Sequence, residues 1–71
     1  FPVQYTQDQA SILELVKDDG VISTGDVCKA MNWSVDRAER ALQNLVDTRV
    51  ARITETFREG KKYFFPSLNK K

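Results

Sequence analysis

The chain has 71 residues, 41% hydrophobic and 30% charged, with 11 Lys and Arg against 10 Asp and Glu for a net charge of +1. That length allows one domain with a single small core and little room for an enclosed active site. With no His and a single cysteine, Cys28, the commonest general base, the commonest metal ligand, an internal disulfide and a cysteine cluster are all removed.

No cofactor or metal is therefore expected, and no residue set makes an enzyme. The lone thiol fits a reducing compartment. No apolar run approaches the roughly 20 residues that cross a bilayer. The opening Phe1-Pro2, without Met or a signal pattern, reads as the start of a piece excised from a longer chain.

Phe1 to Tyr5 alternates apolar and polar residues and reads as an extended arm or linker. Thr6-Gln7-Asp8-Gln9 has capping-box spacing, and the spacing predicts a first helix to about Lys17 with Ile12, Leu13 and Val16 on one face. Asp18-Asp19-Gly20 ends it, with Gly20 as the left-handed cap. Val21-Ile22-Ser23 is a short strand. Thr24 caps a second helix from Gly25 to Met31 that buries Val27, Ala30 and Met31.

Asn32-Trp33 forms a turn, and Ser34 caps a third helix to about Arg49. Val35, Ala38, Ala41, Leu42, Leu45 and Val46 fall on one half of its wheel and the charged residues on the other. The period then changes to two: Ala51, Ile53 and Phe57 point one way, with Glu55 interrupting. Glu59-Gly60-Lys61 is the hairpin turn, and Tyr63-Phe64-Phe65 begins the return strand before Pro66 stops it.

Helix, short strand, helix, turn, helix and hairpin is the order of a winged helix, an α+β fold with a three-helix core and a small three-stranded antiparallel sheet. Its span is 6–68, with an arm over 1–5 and a basic tail over 69–71.

Two surfaces carry candidate function. Arg37, Arg40 and Asn44 share a stripe on the third helix, and such side chains read base edges. Arg58, Lys61 and Lys62 surround the wing, where phosphate contacts would fall. Against DNA binding, Asp36, Glu39 and Asp47 outnumber Arg37 and Arg40 on that face, for a local charge of −1. Asp36 and Arg40 also have the spacing of an intrahelical ion pair. A solvated charged face is the plainer reading.

The charge is segregated along the chain. Residues 1–36 carry two bases against six acids, net −4, and residues 37–71 carry nine bases against four acids, net +5. Such asymmetry can steer an acidic partner or lipid headgroups toward the wing.

The second surface is aromatic. Tyr63 and Phe65 share one face of a strand and Phe64 takes the other, so a small core is not expected to cover all three. They either pack under the arm or meet a partner. Trp33 staples the turn or joins a contact. Cys28 is a small core or half-buried residue.

From Gly20 onward the sequence resembles the C-terminal winged-helix domain of ESCRT-II endosomal sorting subunits, the Snf-eight-like one above all. The residues that carry this are Gly20-Val21-Ile22-Ser23-Thr24, Asn32-Trp33 with Arg37-Ala38, Ala41-Leu42 with Leu45, Val50-Ala51, and Tyr63-Phe64-Phe65-Pro66-Ser67-Leu68. Thr48-Arg49 stands where a Lys/Glu-Gly turn is expected. The resemblance implies a non-catalytic interaction module in a complex that sorts ubiquitinated cargo to multivesicular bodies. It implies partner subunits, one docking through Pro-Pro-x-Tyr segments, and a cytoplasmic place peripheral to the endosomal membrane. The expected contact residues are Tyr63, Phe64, Phe65, Leu68 and Trp33. The alternative is a nuclear or nucleoid DNA-binding regulator using Arg37, Arg40, Asn44, Arg58, Lys61 and Lys62.

Overall fold

The computed structural model describes residues 5–70. The arm expected over 1–5 lies outside the described residues except for Tyr5, which is exposed. In chain order the elements are α1 (Gln7–Leu15), β1 (Val21–Ser23), α2 (Thr24–Met31), α3 (Val35–Asp47), β2 (Arg52–Phe57) and β3 (Gly60–Phe64), followed by a 3-10 turn, Pro66–Leu68. The strands form one antiparallel sheet in the order β1-β3-β2. This is the winged helix that the sequence order predicts.

Each helix starts where a side chain can satisfy free amides. At α1 the capping box forms as expected: the Thr6 hydroxyl accepts from Gln9 N at 3.2 Å, and Gln9 Oε1 accepts from Thr6 N at 2.9 Å. The helix stops at Leu15, short of Lys17, because Val16 turns extended at φ −65° and ψ 132°. Gly20 is left-handed as expected, at φ 74°, but it closes a separate turn in which its N–H donates to Lys17 O at 2.8 Å. A Cβ there would lie 2.8 Å from the Phe65 carbonyl oxygen, so glycine is needed for close approach as well.

The cap of α2 is Ser23 rather than Thr24. Ser23 and Asp26 have the reciprocal spacing, with Ser23 Oγ accepting from Asp26 N at 3.2 Å and Ser23 N donating to Asp26 Oδ2 at 3.3 Å. Thr24 instead turns inward, 1% exposed. Ala30, expected in the core, is exposed. Ser34 caps α3 as predicted, accepting from Arg37 N at 3.2 Å.

Helix α3 ends at Asp47, and Arg49 takes the left-handed position at φ 66°. That position is where glycine usually stands after a helix. Along α3, Ala38, Ala41, Leu42 and Leu45 are buried, whereas Val35 at its start is exposed.

The hairpin turns at Arg58-Glu59, one residue earlier than expected, with Phe57 paired directly with Gly60. Ile53 pairs with Tyr63 but Glu55 pairs with Lys62, so a bulge at Thr54 breaks the alternation. Gly60 and Tyr63 are three apart on one strand and face opposite ways. Ile53 and Phe57 therefore do not share a face, contrary to the simple period-two reading.

The core is one cluster that includes Ile12, Ile22, Val27, Leu42, Leu45, Tyr63 and Phe65. Full burial of each large apolar side chain is worth about 1.5–3 kcal/mol, and a domain this size has few to spare. The chain does not end in a free tail at Asn69 and Lys70: Lys70 N donates to Asp18 O at 2.7 Å. Among the described residues, no helix is long and apolar enough to cross a membrane.

Candidate functional site

The aromatic strand divides between the core and the outer face of the sheet. Tyr63 pairs across with Ile22 and Ile53 and is 1% exposed, while Phe65 is 0% exposed. Both rings are core, which corrects their assignment as contact residues: the three-helix core is large enough to cover one face of the strand completely. Burial pushes the Tyr63 phenol above its ordinary value of 10.0, opposed by a hydrogen bond with Thr24 and assisted by the Glu39 charge.

Phe64 alternates to the other face, in register with Val21 on one side and Arg52 on the other. It is half-buried, as are Val21 and Leu68. Phe57, 51% exposed, stands on that same face across from Gly60. The outer sheet face thus presents Phe64, Val21 and Phe57, with Arg52 and Lys62 beside them and Glu55 across from Lys62. Reading β2 as evenly alternating hid Phe57, because the bulge that turns it outward leaves no composition signal beyond the interrupting Glu55.

Trp33 belongs to a different setting. The Arg37 guanidinium lies 4.3 Å from its ring centroid, a cation–π contact. The same guanidinium donates from Nε and Nη2 to the two Asp8 oxygens, each at 3.0 Å. This fork ties the start of α3 to the first turn of α1. The Arg37 hydrogen bond holds the Asp8 carboxyl below its ordinary 3.8, with Arg37 correspondingly raised.

The ion pair expected between Asp36 and Arg40 does not form; the salt bridge at the start of α3 is the one between Arg37 and Asp8, whose two oxygens meet the flat guanidinium. Arg37 is therefore engaged within the fold, and the stripe proposed for a DNA groove keeps Arg40 and Asn44 exposed. Arg40 shares a shallow groove with Asp36, Glu39, Lys61 and Tyr63, where two carboxylates would meet any phosphate. Arg58 is exposed at the wing tip; Lys61 and Lys62 are half-buried. The main chain of Lys61 is bonded on both sides to the Thr24 hydroxyl.

Among the described residues there is no group of three or more His, Cys, Asp and Glu placed to hold a metal ion. Cys28 is a free, half-buried thiol.

Two curated proteins are similar to the chain over nearly all of it. One is the vacuolar protein sorting-associated protein 22 homolog 1 of Arabidopsis thaliana, 29% identical over 96% of this chain and 28% of the relative. The other is the vacuolar-sorting protein SNF8 of Xenopus tropicalis, 24% identical over 94% of this chain and 26% of the relative. Both are ESCRT-II subunits, so the resemblance read from the residues is borne out. The chain spans about a quarter of the length of these relatives. No protein-family model matches the chain, and no solved structure does.

Proposed function

We propose that the chain is a non-catalytic winged-helix module that docks partner subunits within a sorting complex of ESCRT-II type. In that setting it serves the movement of ubiquitinated cargo toward multivesicular bodies, in the cytoplasm and peripheral to the endosomal membrane. The similarity to two vacuolar-sorting proteins across 94–96% of the chain supports the class of function.

The observation that carries the docking role is Phe64, an aromatic side chain on the sheet face turned away from the core, flanked by Val21 and Arg52. Contiguous exposed apolar surface rimmed by polar side chains is a mark of protein contacts. Leu68 and Trp33 complete the proposed contact set as secondary members. The small partner subunit would reach this surface through its Pro-Pro-x-Tyr segment.

Co-expression with the other subunits of such a complex tests the reading. Phe64→Glu is expected to abolish co-purification and leave the helical circular dichroism intact. Undiminished co-purification would overturn the placement. A duplex-DNA anisotropy titration at low salt is expected to give no binding, since Arg37 is held by Asp8. Salt-sensitive binding would instead favour the regulator reading.

A further inference from the structure

Strand β2 is a free edge of the sheet. In the order β1-β3-β2 it pairs on one side only, and β3 is its one substantial neighbour among the described elements. All of its residues are exposed, the apolar Ile53 and Phe57 included. The other side of the strand is therefore a row of main-chain N–H and C=O groups open to an added strand.

The bulge at Thr54 selects what can be added. Arg52 stands across from Phe64 and Glu55 across from Lys62, so both point to the outer face although they are three apart. Between these two pairs β3 has one residue, Tyr63, where β2 has two, Ile53 and Thr54. A regular strand on the free side would meet the same mismatch. A second copy of β2 running antiparallel carries the same extra residue, so the counts agree when Ile53 lies across from Thr54 of that copy. In this register Arg52 is opposite Glu55 of the second copy, and Glu55 is opposite its Arg52. Neither side chain is in an ion pair among the described residues.

We propose that β2 pairs with β2 of a second copy about a two-fold axis normal to the sheet, joining two three-stranded sheets into one. Both Arg52–Glu55 pairs then form at once on the outer face, the reciprocity that a two-fold contact requires. Ile53, which stands across from buried Tyr63, meets Ile53 of the second copy on the core side. The register centred on Glu55 is opposed, since it sets Glu55 against Glu55 and Arg52 against Arg58. The contact is small, so the dimer is weak and concentration-dependent. Extension at the edge leaves Phe64 on an open face, and the proposal stands whether or not that face docks a partner.

The test is sedimentation equilibrium of the 71-residue chain from micromolar to millimolar concentration, with amide shifts followed on 15N-labelled protein. The chain is expected to be monomeric when dilute and to dimerise as concentration rises, with the amides of Arg52, Ile53, Thr54 and Glu55 shifting.

Arg52→Glu places like charges opposite each other in both pairs and should weaken the dimer about tenfold or more. Glu55→Arg should do the same. The two substitutions together restore opposite charges in both pairs, at the net charge of the wild type, and should recover the dimer. Both positions are exposed, so circular dichroism should be unchanged in all three variants. A chain that stays monomeric at millimolar concentration, or shifts confined to other surfaces, would overturn the proposal. So would a dimer indifferent to the single reversals, or a double variant that fails to recover it.

Discussion

The Thr24 hydroxyl is bonded to both main-chain groups of one distant residue, Lys61. It accepts from Lys61 N at 3.1 Å and donates to Lys61 O at 3.3 Å. This couples the start of α2 to the wing across 37 residues of sequence. Gly60 permits the approach, since a Cβ there would lie 2.9 Å from Thr24 Cβ.

Thr24→Val keeps the shape but leaves both Lys61 groups without this partner, an expected loss of about 2 kcal/mol in urea unfolding. Thr24→Ser keeps the hydroxyl and removes one methyl, for an expected loss of about 0.8 kcal/mol. If the two variants proved equally stable, the hydroxyl would be contributing nothing.

Arg49 at φ 66° carries a side chain in a position suited to glycine. The left-handed conformation costs a non-glycine residue roughly 1–2 kcal/mol. Glycine adds roughly 0.5–1 kcal/mol of unfolded-state entropy in opposition. Arg49→Gly should therefore stabilise the domain by about 0.5 kcal/mol, visible as a higher denaturation midpoint with an unchanged slope. A lower midpoint would mean that the Arg49 side chain makes a stabilising interaction outweighing its backbone strain.

The Asp8–Arg37 pair makes stability depend on acid in a definite direction. The Asp8 carboxyl is held below its ordinary 3.8 in the folded chain by the Arg37 hydrogen bond. A depressed carboxyl contributes stability that is fully present above its unfolded value and is lost as pH falls through its folded value. Wild type should thus melt above Asp8→Asn at neutral pH, by a small margin because both side chains are well exposed. The margin should close in strong acid, below that folded value. Melting curves at neutral pH and in strong acid check this, and a margin independent of pH would sink it.

Phe64 and Phe65 are neighbours with opposite fates. Phe65→Ala empties a fully buried site and should cost about 3–5 kcal/mol, enough to unfold a small domain of marginal stability. Phe64→Ala removes a ring only half-buried on the outer face and should leave the chain cooperatively folded. Thermal unfolding by circular dichroism distinguishes them, and equal losses would place both rings in the core.

The local grammar of the chain was legible without coordinates. Thr6 with Gln9, Ser34 before a strongly amphipathic run, and the change of period after Val50 each depend on neighbours a few residues apart, so α1, α3 and the hairpin follow from short-range bonding and side-chain spacing. Their order then leaves one compact arrangement, the winged helix. Alternation along the strand separated Phe64 from Tyr63 and Phe65, but which of the two faces is core was decided only by the packing of the helices.

Distance in the fold accounts for what could not be read this way. Ser23 caps α2, while the Thr24 hydroxyl is bonded to Lys61, a residue that approaches only when the wing folds back. Arg37 looked like a free reader of base edges, yet Asp8 on another helix claims its guanidinium. The bulge at Thr54 turned Phe57 away from Ile53. Periodicity and capping are settled by neighbours along the chain. Which hydroxyl, cation or ring remains available is settled by the groups that packing brings against it.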